Sequence, residues 1–229
     1  MQSIKSMITR GELGAGSRLP IEKDLAVALG VSRGSLREGV RALCIMGVLE
    51  TRQGDGTYVT SLDSELLLAP MAFMVDLQSP EHRHDLHAVR RVLESEAAAR
   101  AAVRISDDQL AAAAAILDGA RAVVFASPVT DHETVISADI AFHRVIAKAS
   151  DNGPLAALVD ALADRTMLAR RTIGQQHEEQ VQRAFHDHES ILAALTAHDP
   201  DRARLLMGHH LLVIEDFVHD DDSLADPAQ

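Results

Sequence analysis

The chain has few aromatic residues, almost no cysteine and a deficit of positive charge. Tryptophan is absent, tyrosine occurs once, and aromatic residues make up only 3% of the chain. That disfavours a sheet-rich core built on rings, and the abundance of alanine favours close-packed helices instead. A single cysteine, Cys44, excludes an internal disulfide and fits a reducing cytoplasm. At its helical spacing Cys44 reads as a small core residue. No run approaches the roughly 18 apolar residues of a membrane span. Met1 leads directly into a polar amphipathic segment, so no signal peptide is expected. What the chain does have is 47% apolar residues in a length of 229, enough for one large domain or two small ones.

The formal net charge is −12, and it is unevenly distributed. Residues 1–60 hold 8 Lys and Arg against 6 Asp and Glu, a balance of +2. The remainder holds 14 against 28, a balance of −14. A basic surface needed for phosphate contact is a local property, so the acidic total does not exclude a nucleic-acid partner.

Residues 2–10 read as a short helix ended by Gly11. Pro20 can begin a second helix running to Leu29, and Gly30 ends it. Ser32 is a good N-cap for a third helix from Arg33 to about Met46. Leu36, Val40 and Leu43 form its apolar stripe, while Arg33, Arg37 and Arg41 recur at i, i+4, i+8 on another face. Val48–Arg52 and Thr57–Thr60 alternate as short strands about the turn signal Gly54-Asp55-Gly56. Helix, turn, helix and hairpin in this order read as a winged helix-turn-helix, which places one helix in the major groove of DNA. On that helix Arg33 and Arg37 are positioned to reach base edges, each bidentate guanine contact being worth about 1–3 kcal/mol. Gly34 keeps the backbone close to the groove, Ser32 and Ser35 can bond phosphate or base, and Lys23 can hold the DNA backbone. A solvated arginine face on an ordinary helix is the competing reading. The turn before it and the Gly-rich hairpin after it weigh against that.

Past Thr60 the pattern is helical throughout, with seven helices at about 63–77, 82–103, 106–124, 130–150, 154–173, 176–197 and 201–218. Breaks are expected at Ser79-Pro80, Ser106-Asp107, Ser127-Pro128, Asn152-Gly153-Pro154, Gly174 and Asp199-Pro200. The acidic tail from about Asp220 is expected to fray. The expected fold is therefore mainly α: a winged helix-turn-helix over residues 1–61, then an antiparallel all-helical bundle over 62–229.

Three of these helices carry polar ligand-type side chains on their apolar stripes. Asp139 and His143 lie at i, i+4 with Ile136 and Ile146. His188 shares a stripe with Val181, Phe185, Leu192 and Leu195, and His210 with Ala203, Met207, Ile214 and Phe217. Burying one Asp and three His without partners is expensive, and a divalent metal ion satisfies all four. The set suits zinc first, with nickel, manganese or iron as alternatives, and leaves open positions for water or a ligand. With 12 histidines in the chain, any single one is more simply a core or surface residue. Arg90 falls on a stripe with Leu86, Leu93 and Ala97 and needs an anion, either Glu94 or a bound carboxylate effector. Arg165, near Leu158 and Leu162, is a second candidate for the effector role.

The first 60 residues resemble the DNA-binding domain of the GntR family of bacterial transcription regulators. The resemblance runs through Gly16-Ser17-Arg18-Leu19-Pro20-Ile21-Glu22, Leu25-Ala26, Gly30-Val31-Ser32-Arg33, Leu36-Arg37-Glu38, Ala42-Leu43, Gly47-Val48-Leu49 and the Gly54–Gly56 wing. It implies operator contacts from Lys23, Arg33 and Arg37, with Gln53 and Gly54 at the wing tip near the minor groove. Lys23 stands where arginine is common in the family. Gly39 replaces the usual alanine, at an expected cost of about 1 kcal/mol to the recognition helix.

The helical part resembles the all-helical (FCD) ligand-binding domain of FadR-type members. The matching segments are Arg90-Arg91-Val92-Leu93-Glu94, Asp139-Ile140-Ala141-Phe142-His143, His188–Leu195 and Met207-Gly208-His209-His210-Leu211. Gly153 is inserted where the family usually runs Asn-Pro. The resemblance implies metal ligation by Asp139, His143, His188 and His210. It also implies a homodimeric cytoplasmic regulator, most simply a repressor, acting on a pseudo-palindromic operator and sensing a small carboxylate such as a hydroxy acid or sugar acid. A metal-only sensor, a structural metal site with the effector elsewhere, and a metal-dependent enzyme are the alternatives. The enzyme has the least support, because no separate candidate general acid or base accompanies the cluster.

Overall fold

The computed structural model describes residues 1–76, 83–126, 129, 131–173 and 178–225. Its contacts divide the chain into two compact units, Met1–Phe73 and Met74–Gln229. The described elements are ten helices and one two-stranded hairpin.

In the first unit α1 (Gln2–Thr9), α2 (Glu22–Ala28) and α3 (Arg33–Ile45) precede β1 (Leu49–Arg52) and β2 (Gly56–Val59). The strands pair antiparallel, Leu49 opposite Val59 and Arg52 opposite Gly56. Ile4, Leu19, Leu25, Leu36, Leu43, Leu49 and Val59 are buried together, so every element contributes to one small core. Ser32 caps α3, its Oγ accepting from the Ser35 backbone N–H at 3.1 Å. The α2–α3 turn closes at Gly30, with φ +65°. Pro20 stands just ahead of α2 rather than within it, and Ile21 takes the N-cap position. A Cβ at Gly39 would stand 3.1 Å from the backbone nitrogen of Met1.

The helices α4 (Ser64–Asp76), α5 (Arg83–Arg104), α6 (Asp107–Val124), α7 (His132–Ala149), α8 (Gly153–Ile173), α9 (Glu178–Thr196) and α10 (Pro200–Ala225) follow. Their number and order match the seven read from periodicity. The expected breaks at Ser79-Pro80, Ser127-Pro128 and Gly174 lie outside the described residues. One boundary differs: α10 runs to Ala225 instead of ending near 218. Neither proline nor glycine intervenes before Pro227, so nothing in the backbone stops the helix sooner.

Local signals explain where several of these helices begin. Ser106 and Gln109 form a reciprocal capping box at the start of α6. Asp131 caps α7, its Oδ1 accepting from the Thr134 N–H at 3.0 Å. Pro200 opens α10, where its missing N–H costs nothing. Around α5 the side chains are small: Ala98, Ala101 and Ala102 are fully buried. This lets α7, α8, α9 and α10 all pack against α5. Helix α10 packs closely on α5, since a Cβ at Gly208 would stand 3.1 Å from Ser95 Oγ. Phe142, Ile146, Phe185, Ile191, Leu195, Met207 and Leu211 fill the rest of the core.

Candidate functional site

Three helices deliver the buried polar cluster. Asp139 and His143 project from one face of α7, one turn apart. His188 comes from α9 and His210 from α10. All four are buried, His210 completely. Each offers a ligand atom within 4.8 Å of the others. His143 Nε2 lies 3.2 Å from His188 Nε2, which lies 3.1 Å from His210 Nε2. Asp139 Oδ1 is 3.5 Å from His188 Nε2. Phe142 closes one side, its ring centroid 4.8 Å from that of His188.

Three imidazole nitrogens converging in a core make a poor set of hydrogen-bond partners, because at least two of them must be alike, both lone pairs or both N–H. They make a good set of metal ligands. Nitrogens bound to one ion at about 2.0–2.1 Å stand about 3 Å apart at right-angled to tetrahedral bond angles, the spacing found here. The nitrogen and carboxylate donors suit a borderline divalent ion and not calcium or magnesium, which take oxygen. The donor set therefore fits a metal ion.

Behind His143 lies a buried chain of charge. Its Nδ1 hydrogen-bonds Glu94, and the other Glu94 oxygen accepts from Nε of Arg90. Burial pushes the Glu94 carboxyl up, but the Arg90 and His143 charges and hydrogen bonds outweigh it and hold the group at about 2. Arg90 is fully buried on α5, and its Nε pairs with Glu94, one turn away. Arg165 lies in the part of α8 whose side chains are outside the described residues. The local signal misses Asp187, whose Oδ2 is 3.3 Å from His210 Nδ1. It sits in the run His186-Asp187-His188, where the histidines draw attention first.

In the first unit the expected DNA-facing residues lie on the surface. Lys23, Arg33, Gly34, Gln53 and Gly54 are exposed. The hydroxyls of Ser32 and Ser35 are 3.0 Å apart at the start of α3. Arg37 differs from a simple exposed reader: its Nε is 2.7 Å from Glu22 Oε2 across the α2–α3 turn. Such exposed pairs are worth about 0–1 kcal/mol, less than the roughly 1–3 kcal/mol of a bidentate guanine contact, so Glu22 holds the side chain without preventing exchange. The hairpin has fastenings not anticipated from its turn residues. Arg18 donates to the Asp55 carbonyl and pairs with the Asp55 carboxylate at 3.7 Å. Tyr58 donates to Asp55 Oδ2 at 2.8 Å, and the Arg52 guanidinium stacks 4.2 Å from the Tyr58 ring.

Comparison with known proteins agrees with both units. The model of bacterial regulatory proteins of the gntR family matches residues 1–59, and the FCD domain model matches residues 85–212. The chain belongs to the GntR family. It is 34% identical over 216 residues to the HTH-type transcriptional regulator LutR of Bacillus subtilis, covering 93% of this chain and 96% of LutR. It is 28% identical over 214 residues to the HTH-type transcriptional repressor NanR of Escherichia coli K12, covering 92% and 79%. Among solved structures it is similar to Streptococcus agalactiae GntR, with a TM-score of 0.64, 27% identity, and 94% and 96% of the two chains covered. This GntR-family chain is thus a bacterial transcription regulator, as its relatives LutR and NanR are. Among its described residues no helix is long and apolar enough to cross a membrane.

Proposed function

We propose that this regulator is a metabolite-responsive repressor whose helical part holds a divalent metal ion on Asp139, His143, His188 and His210. The observation that carries this reading is the convergence of three buried imidazole Nε2 atoms within 3.2 Å steps. Zinc is the first choice by donor type, with nickel, manganese and iron next. When bound, the ion supplies a Lewis-acid centre that a small carboxylate, a hydroxy acid or sugar acid, can coordinate. Residues 62–229 hold the ion, the acid and the dimer contacts, while residues 1–61 read DNA. Lys23, Ser32, Arg33, Gly34, Ser35 and Arg37 contact one half-site, and Gln53 and Gly54 approach the minor groove. Two chains then read a pseudo-palindromic operator. The acid switches the protein only by binding its states with different affinity. Repression is favoured by the NanR relatives, which are themselves repressors.

A thermal-shift screen tests this reading. A ligand that binds only the folded state raises stability by RT ln(1+[L]/Kd). Zinc-loaded protein is expected to be stabilised by at least one small carboxylate that leaves chelator-stripped protein unmoved. Stabilisation by metal with no response to any acid would replace the effector reading by a metal-only sensor.

A further inference from the structure

Two of the three histidines are held from behind by carboxylates on different elements. Nδ1 of His143 meets Glu94, and Nδ1 of His210 meets Asp187 Oδ2 at 3.3 Å. An ionised carboxylate can only accept, so each Nδ1 carries the proton. In the neutral ring Nε2 then presents its lone pair, and both Nε2 atoms face His188 Nε2, at 3.2 and 3.1 Å. We infer that Glu94 and Asp187 are positioning residues of the cluster, fixing the tautomer and the ring orientation of His143 and His210 so that their Nε2 atoms are ready to bind a metal ion. This rests on the metal reading above and extends it to residues outside the ligand set.

The two anchors differ in their surroundings. Glu94 is 2% exposed and tied to Arg90, which is 0% exposed, so Arg90–Glu94–His143 is a closed chain through the core from α5 to α7. Arg90 acts here through Glu94, and its place is beneath the centre. Asp187 is about one third exposed and immediately precedes His188 on α9. One helix thus contributes a direct donor, His188, and the residue that orients the donor of its neighbour, α10. Partners of this kind are worth about 10–100-fold in metal affinity.

Glu94→Gln removes an anion that pairs with the buried Arg90 and can unfold the helical part, so Asp187→Ala, which removes the acceptor from His210 outright, is the decisive variant. Chelator-stripped full-length protein is titrated with Zn2+ against a chromophoric chelator, with far-UV circular dichroism to check the fold. Imidazole 15N spectra of the stripped protein report the tautomer of each ring. With the fold intact, Asp187→Ala is expected to bind Zn2+ about 10–100-fold more weakly than wild type. His210 is expected to lose its Nδ1–H preference while His143 keeps it. Zn2+ affinity equal to wild type overturns the inference, whatever the spectra show. Absence of a tight Zn2+ site in wild type overturns the metal reading itself, a distinguishable result.

Discussion

The two units place their chemistry on opposite sides of their folds. In Met1–Phe73 the core is purely apolar and the groups proposed to face DNA are exposed, so binding and folding are expected to draw on different residues. In Met74–Gln229 the candidate ligands Asp139, His143, His188 and His210 lie inside, next to Phe142 and Met207, which are fully buried. There, folding and function draw on the same residues. A surface reader can change its sequence preference at little cost in stability. A change in a buried ligand set also bears on helix packing.

This contrast is open to direct attack. The largest effect is expected from Leu195→Ala, which empties a 0%-exposed position between α9 and the rest of the core. Burial losses and the remaining cavity cost about 2–5 kcal/mol, readable by urea unfolding followed with helix-sensitive dichroism. Metal removal comes next. A ligand at a thousandfold its Kd stabilises by about 4 kcal/mol, so chelation is expected to lower the melting temperature of the full chain and of Arg33→Ala equally. It is expected to leave His188→Ala, with His210→Ala in the same chain, unmoved. Arg33→Ala itself is expected to weaken binding to a duplex selected by the wild-type protein by about 1–3 kcal/mol and to relax one base position. Its melting temperature is expected to match wild type. If Arg33→Ala unfolded the chain, the separation of folding from binding in the first unit would be lost.

Two smaller effects sharpen the picture in the helical unit. Asp131→Ala removes the cap of α7, the helix that carries Asp139 and His143, and is expected to cost about 1 kcal/mol in denaturant unfolding. Glu189 is held below the ordinary carboxylate range by its hydrogen bonds to Arg121 and then to His186. A carboxyl lowered on folding stabilises above its unfolded pKa and loses that contribution as pH falls through its folded value. Glu189→Gln is therefore expected to reduce stability near neutrality by about 0–1 kcal/mol and to lose that difference in acid.

The DNA-reading half was the more legible in the sequence because its signals are short-range. The Ser32 cap, the glycine-closed turn and the hairpin each occupy a few consecutive residues. The helices of the second half were legible from period and breakers, and the i, i+4 pair Asp139–His143 follows from helix geometry alone. That His188 and His210 meet that pair followed from stripes that all had to face one core. Contacts joining distant stretches through side chains were not legible. Arg18 reaches Asp55 across 37 positions, and Glu94 reaches His143 across 49. Local spacing offered Glu94 only as a partner for Arg90. Nothing in periodicity marks Asp187 or turns Arg37 towards Glu22, since both contacts depend on how neighbouring helices cross.

The most direct test of the central claim is the metal content of the purified full-length protein, measured before and after graded chelation and compared with His188→Ala and His210→Ala. Metal retained by wild type through dialysis, removed by strong chelator and missing from folded variants is the expected result. Wild type that carries no transition metal and takes up none, or variants that retain it as wild type does, would contradict the assignment of Asp139, His143, His188 and His210.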